Sequence, residues 1–243
     1  MTSQPSADLS HRLLEQGSPS APVLFTCEHA SQALPPGWTW PEEDAWIVDT
    51  HWAYDLGAAE LSEELARALR APALLAAFSR LLADPNRPEH SEELFRQKAE
   101  GRLVHLNRAI DEEERQRRLE GYYRRYHQAL DALVARSSAE LLFSVHTFTP
   151  VYEGQVREVE LGVLFDREEA WAEKLAKVLT RAGFRVGLNE PYSGKEGLSY
   201  SVDRHAWTHS RRSLEIEVRQ DLAVDAVKRA AIVEALMEFF VTL

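Results

Sequence analysis

Two histidines each close an apolar run: Val23-Leu24-Phe25-Thr26-Cys27-Glu28-His29 and Leu141-Leu142-Phe143-Ser144-Val145-His146. Two more apolar runs end in the polar clusters Asp84-Pro85-Asn86-Arg87 and Glu217-Val218-Arg219. Neutral imidazole is a common zinc ligand, and a hydrolytic zinc site needs about three protein ligands plus an open position. Equivalent places at two strand ends make His29 and His146 candidate ligands. The third candidate is His51 or Asp55, four residues apart at an expected helix start, where one turn puts both on one face. Glu28 adjoins His29, but successive strand side chains point to opposite faces, which disfavours it. Asp49 reads as a helix cap.

The other clusters suit a substrate rather than a metal. Arg80 and Arg87 flank Leu81–Asn86, and the planar guanidinium fork matches a carboxylate. Asn86 adds an amide donor, and Asp84 can orient either arginine. Leu214, Ile216 and Val218 share one strand face, so Glu215, Glu217 and Arg219 share the other. Glu217 is a candidate general base, with Arg219 holding it in place. The polar stretch from Asn189 through Tyr192 to Arg204-His205 reads as a lid or a surface loop. His11, His90, His127 and His209 lie in charged settings and read as surface residues.

These groups need elements to hold them. Strands are expected at Val23–Cys27, Ala73–Phe78, Glu140–Val145, Val159–Phe165, Phe184–Leu188 and Ser213–Val218. Helices are expected at Asp55–Leu69, Asp111–Ser137, Arg167–Ala182 and Asp221–Val241, with shorter helical pieces between Glu92 and Leu106. The acidic start at Asp111–Glu114 favours the positive end of a helix dipole. Alternating strands and helices imply an α/β fold around a mixed, mainly parallel sheet, and such sheets bind ligands at the rim. Residues 1–21, rich in Ser, Pro and Gln, read as a loose leader with a short helical turn at Leu9–Leu14. Residues 22–243 read as a single domain.

At 243 residues with 44% hydrophobic content, a large core is available. The formal charge of −11 argues against non-specific nucleic-acid binding. The single cysteine, Cys27, rules out an intrachain disulfide and suits a reducing, cytoplasmic setting. It reads as a buried strand residue rather than a nucleophile. No apolar run approaches the ~20 residues of a membrane span, and no signal peptide is recognisable.

The segments Phe25-Thr26-Cys27-Glu28-His29-Ala30-Ser31, His51…Asp55-Leu56-Gly57-Ala58, Ser79-Arg80-Leu81…Asp84-Pro85-Asn86-Arg87-Pro88, Ser144-Val145-His146-Thr147-Phe148-Thr149-Pro150, Asn189-Glu190-Pro191-Tyr192 and Glu215–Leu222 occur in this order. Together they resemble the N-formylglutamate amidohydrolase family, over about residues 22 to 240. The resemblance implies a zinc-carboxypeptidase-like fold, a phosphorylase/hydrolase-like three-layer α/β/α domain. It also implies that Asp84-x-Asn86-Arg87 grips a carboxylate, that His146 is a late metal ligand and that Glu217 is the base. Tyr192 and Arg219 join the substrate contacts. Carboxypeptidases carry His-x-x-Glu at the first metal site. Here Gln32 follows His29 by three, so the further ligand is sought in His51 and Asp55.

The expected activity is metal-dependent hydrolysis of a small N-acylated amino acid such as N-formylglutamate. The cofactor would be a divalent metal, with zinc the first candidate. Zinc would polarise the carbonyl, Glu217 would accept a proton, and one of Arg80 and Arg87 would bind the carboxylate while the other stabilises the oxyanion. Alternatives are a carboxypeptidase-like or peptidoglycan-fragment amidase, and a catalytically silent binding module of the same fold. Metal content separates the hydrolases from the binding module.

Overall fold

The computed structural model describes residues 10–15 and 21–243. The apolar runs pair into one seven-stranded sheet: β1 (His11–Leu14), β2 (Val23–Cys27), β3 (Ala73–Ala76), β4 (Leu141–Phe148), β5 (Leu161–Leu164), β6 (Val186–Leu188) and β7 (Arg212–Arg219), in the order β1-β3-β2-β4-β7-β5-β6. The pairs β3/β2, β2/β4, β4/β7 and β5/β6 are parallel, whereas β1/β3 and β7/β5 are antiparallel. The mixed, mainly parallel α/β sheet is as the sequence indicates.

Strand alternation sorts the sheet into two faces. Val23, Phe25, Leu141, Phe143, Val145, Leu214, Ile216 and Val218 face one helical layer. That layer comprises α1 (Ala58–Leu69), α4 (Glu169–Arg181) and α6 (Ala226–Phe240). The opposite face carries Leu24, Leu74 and Leu142 against α3 (Arg124–Arg136) and α5 (Tyr200–Thr208). In α3, Tyr126, Leu130, Leu133 and Val134 recur at helical spacing and supply the packing stripe. Helices on both faces make the three layers α/β/α.

Several local expectations change. His11–Leu14, placed in a loose leader with a helical turn, is an antiparallel edge strand on β3; Leu9 lies outside the described residues. The helix expected from Asp55 starts at Ala58, after a run of turns, so His51 and Asp55 do not share a helical face. Asp111 caps α2 (Glu112–Arg118) by accepting the Glu114 amide, and a π-helical turn at Leu119–Tyr123 joins α2 to α3. Tyr200–Thr208 is a packed helix rather than a lid. His127 is buried on α3, stacked on His205 of α5, because helical periodicity and not its charged neighbours decides its side.

Candidate active site

β2 and β4 run parallel, so both end at the same rim of the sheet. His29 lies two residues past β2 and His146 lies within β4, near its end. The Asp55 amide donates to the His29 carbonyl at 2.9 Å, which ties the Asp55 turn to that rim. Gly57, at φ +83°, locks the turn: a Cβ there would sit 2.7 Å from the Ala223 backbone.

Three potential ligand atoms converge. His146 Nδ1 lies 2.9 Å from Asp55 Oδ2 and 3.1 Å from His29 Nδ1, and His29 Nδ1 lies 3.4 Å from Asp55 Oδ2. All three residues are buried. The outer nitrogens are held by carboxylates: His29 Nε2 lies 2.8 Å from Asp84 Oδ1, and His146 Nε2 lies 3.1 Å from Glu28 Oε2. With each outer N–H donated to a carboxylate, a neutral ring turns its Nδ1 lone pair toward Asp55, the arrangement that carboxylate–histidine pairs give metal ligands. Tetrahedral zinc with ~2.0–2.1 Å bonds separates its donors by about 3.3 Å. The observed separations and donor types therefore fit a divalent metal, and His29, Asp55 and His146 are the group that could hold one.

Electrostatics follow the same geometry. Burial alone would raise the Asp55 carboxyl, but His29 and His146 hold it below its ordinary range. Burial is likewise outweighed at Asp84, by Arg80 and His29, and at Glu28, which His146, Ser144 and Tyr126 hold down to about 2. Ser144 Oγ and Tyr126 Oη donate to the two Glu28 oxygens at 2.6 and 2.9 Å. His146 opposes its own burial and is raised well above an ordinary imidazole by Glu215, Asp55 and Glu28. Glu217 is raised by burial and by nearby Asp55 and Glu215, and burial raises Glu215 to about 7. One oxygen of each of these two glutamates has no hydrogen-bond partner among the described residues.

A cavity of about 570 Å³ opens over this group. Glu217, Arg80, Asn86, Arg87, His51 and Tyr192 all line it. The β4/β7 register sets Glu217 beside His146. Asp84 divides its oxygens: Oδ2 accepts from Arg80 Nε and Nη2 at 3.1 and 2.7 Å, while Oδ1 takes His29 and the Asn86 amide. Both ends of the Asn86 side chain are engaged, with Nδ2 on the Leu198 carbonyl and Oδ1 on the Ser201 amide. Tyr192 reaches the cavity because the Asn189–Pro191 loop presses onto Gly162, where a Cβ would meet the Glu190 carbonyl at 2.1 Å.

Two assignments move. His51 is outside the converging group; its ring lies tilted against Trp52, 4.6 Å between centres, and burial with nearby Arg80 lowers its pKa. Arg219 does not line the cavity. The strand ends there, and its guanidinium pairs with Asp221 at 2.7 Å instead of with Glu217. Gln32 and Asp49 bond each other at 2.8 Å in an exposed position, so Asp49 is no cap. Cys27 is buried with its thiol pushed up to about 12 by burial, which removes it as a nucleophile. Unforeseen in the sequence are Glu28 and Asp84 as the histidines' partners, and Arg96, Arg157, Trp52 and Tyr152 as cavity walls. Glu28 was accessible to strand alternation, which sets it on the face of Ser144 and His146; the others carry no comparable local signal.

A solved structure of the gene product Atu2144 from Agrobacterium tumefaciens is 29% identical, with a TM-score of 0.86 over 96% of this chain and 94% of that one. The N-formylglutamate amidohydrolase of Ralstonia eutropha JMP134 is 20% identical, with a TM-score of 0.71 over 96% of both chains. The tripeptide-bound cell shape determinant Csd4 of Helicobacter pylori shares the fold at 11% identity and a TM-score of 0.53, over 96% of this chain and 55% of that one. No curated protein sequence matches. The N-formylglutamate amidohydrolase family model matches residues 21–224, across all the residues that build the rim, and the chain belongs to that family of amide-hydrolysing enzymes.

Proposed function

We propose that the protein is a metal-dependent hydrolase that cleaves the amide of an N-acylated amino acid such as N-formylglutamate. The observation that carries this reading is the convergence of His29, Asp55 and His146, each imidazole backed by a carboxylate, beneath a cavity lined with arginines. A divalent metal held by the three, zinc being the first candidate, would polarise the amide carbonyl and acidify a water. Glu217 takes the proton from the attacking water and delivers it to the leaving nitrogen. Its raised pKa suits a group that must both accept and return a proton. Arg80, aimed by Asp84, stabilises the oxyanion. Arg87 binds the substrate carboxylate, and Asn86 positions that turn against residues 198–201. Tyr192 closes the far wall.

Membership of the family supports N-formylglutamate as the first substrate to test. The cavity volume falls in the range that holds drug-sized ligands. A peptide-sized amide is therefore the second reading. A cytoplasmic setting fits the one cysteine of the chain. Among the described residues no helix is long and apolar enough to cross a membrane.

The test is metal analysis of the purified protein together with hydrolysis of a panel of N-acyl amino acids, before and after chelation. Near-stoichiometric metal and formate release that stops on chelation and returns with zinc are expected. Undiminished hydrolysis by metal-free protein would overturn the metal role, and hydrolysis of short peptides alone would select the second reading.

A further inference from the structure

Four arginines line the cavity, and their partners differ. Arg80 is paired with Asp84 and lies 3.7 Å from Asp55; Arg96 is paired with Glu93. Among the described residues, Arg87 and Arg157 have no ion-pair partner. Arg87 follows β3, on one side of the β2 and β4 ends that carry the two histidines. Arg157 follows the Val151–Tyr152/Gln155–Val156 hairpin, between β4 and β5, on the other side. The two unpaired cations thus come from opposite flanks of the converging histidines.

Arg157 is also held in advance. Its guanidinium lies 4.8 Å from the Tyr152 ring centre, 5.1 Å from that of Tyr192 and 5.3 Å from that of Phe148. Its Nη1 donates to Tyr192 Oη at 3.2 Å. Its backbone amide donates to the Pro150 carbonyl, and its own carbonyl accepts from Arg219, which Asp221 fixes. Aromatic faces restrain a guanidinium without neutralising it. A half-buried arginine so restrained, with no protein carboxylate, is built to receive one from a ligand.

Resting on the amidohydrolase reading, we propose that Arg157 binds a second carboxylate of the substrate and makes the enzyme selective for doubly anionic N-acyl amino acids. That carboxylate belongs either to the amino-acid side chain or to the far end of the acyl group. Arg157 is a specificity-determining residue in either case.

Calorimetric titration with glutarate and with its monoamide tests the second carboxylate without requiring hydrolysis. The wild-type protein should bind glutarate about 10–100-fold more tightly, the scale of one charge-assisted hydrogen-bonded pair. Arg157→Gln should bring the ratio to within about threefold, and Arg157→Lys should retain part of it. Equal binding by the wild type, or an undiminished ratio in Arg157→Gln, would overturn the proposal. The source of the carboxylate is read from kcat/KM ratios: N-formylglutamate against N-formylglutamine, and N-succinylalanine against its terminal amide. The ratio that collapses in Arg157→Gln names the source, and two unchanged ratios would overturn Arg157 as a substrate determinant. Dependence of glutarate binding on Arg157 in a protein that hydrolyses no N-acyl amino acid would instead refute the amidohydrolase reading and leave the dicarboxylate site standing.

Discussion

The floor and the rim of the cavity are built on different terms. On the floor, His29 and His146 sit at the ends of neighbouring parallel strands, buried, with every ring nitrogen engaged. On the rim, Arg87, Arg157 and Tyr192 stand on turns and a hairpin outside the sheet, and the exposed Val151 and Val156 show how little covers that hairpin. Rigid strands fix donor atoms to within tenths of an ångström, whereas loops can vary without disturbing the sheet. The floor is therefore suited to the bond-breaking step and the rim to choosing the substrate.

The sharpest way to break this division is to remove a floor histidine. His146→Ala or His29→Ala should lose bound metal and lower kcat/KM by roughly 10⁴-fold or more, as for other groups that act as a unit. Retention of both metal and activity would end the comparison. Glu217→Gln should lower kcat by about 10²–10⁴-fold with metal content unchanged. Loss of metal in that variant would make Glu217 a ligand and require another base. One layer further out, Glu28→Gln should weaken zinc binding by about 10–100-fold, the usual cost of losing a carboxylate behind a ligating histidine. An unchanged zinc Kd would mean that Ser144 and Tyr126 hold Glu28 for packing alone.

Zinc affinity should also rise with pH, since His146 keeps its proton to higher pH than an ordinary imidazole and must release it to bind metal. Calorimetry in buffers of different ionisation enthalpy would count that proton; none released would contradict the assignment. The smallest effect is expected at Gln32, half-buried and bonded to the exposed Asp49. Gln32→Ala should leave zinc content and kcat/KM within about twofold, and a larger loss would bring that segment into the site.

The floor was more legible than the rim for physical reasons. An apolar run that ends in a histidine marks a strand reaching a sheet edge, and that pattern located both imidazoles. Asp55 could not be separated from His51, because the helical face invoked for them does not exist: turns precede α1. Glu28 was set aside because alternation was referred to His29, although the strand ends at Cys27 and the chain then turns. Arg219 obeys alternation only while β7 lasts; the chain then enters the Gln220–Ala223 helical turn, and Asp221 captures the side chain. Arg157 had only part of a local sign: Phe148 and Tyr152 precede it in the same stretch of chain, but the Tyr192 that its guanidinium bonds comes from a distant loop.

The place of β7 bears on how the protein is made. It is the last strand in the chain, yet it enters the sheet between β4 and β5. A ribosome adds about 5–20 residues per second, so β4 and β5 wait several seconds for the strand that joins them. Until Arg212–Arg219 leaves the exit tunnel, β4 offers an unpaired backbone edge, the kind of surface that recruits other chains. Glu217 arrives on that same strand. A nascent chain thus cannot complete the catalytic floor before it closes the sheet, and a message truncated ahead of residue 212 would yield an aggregation-prone fragment rather than a slow enzyme.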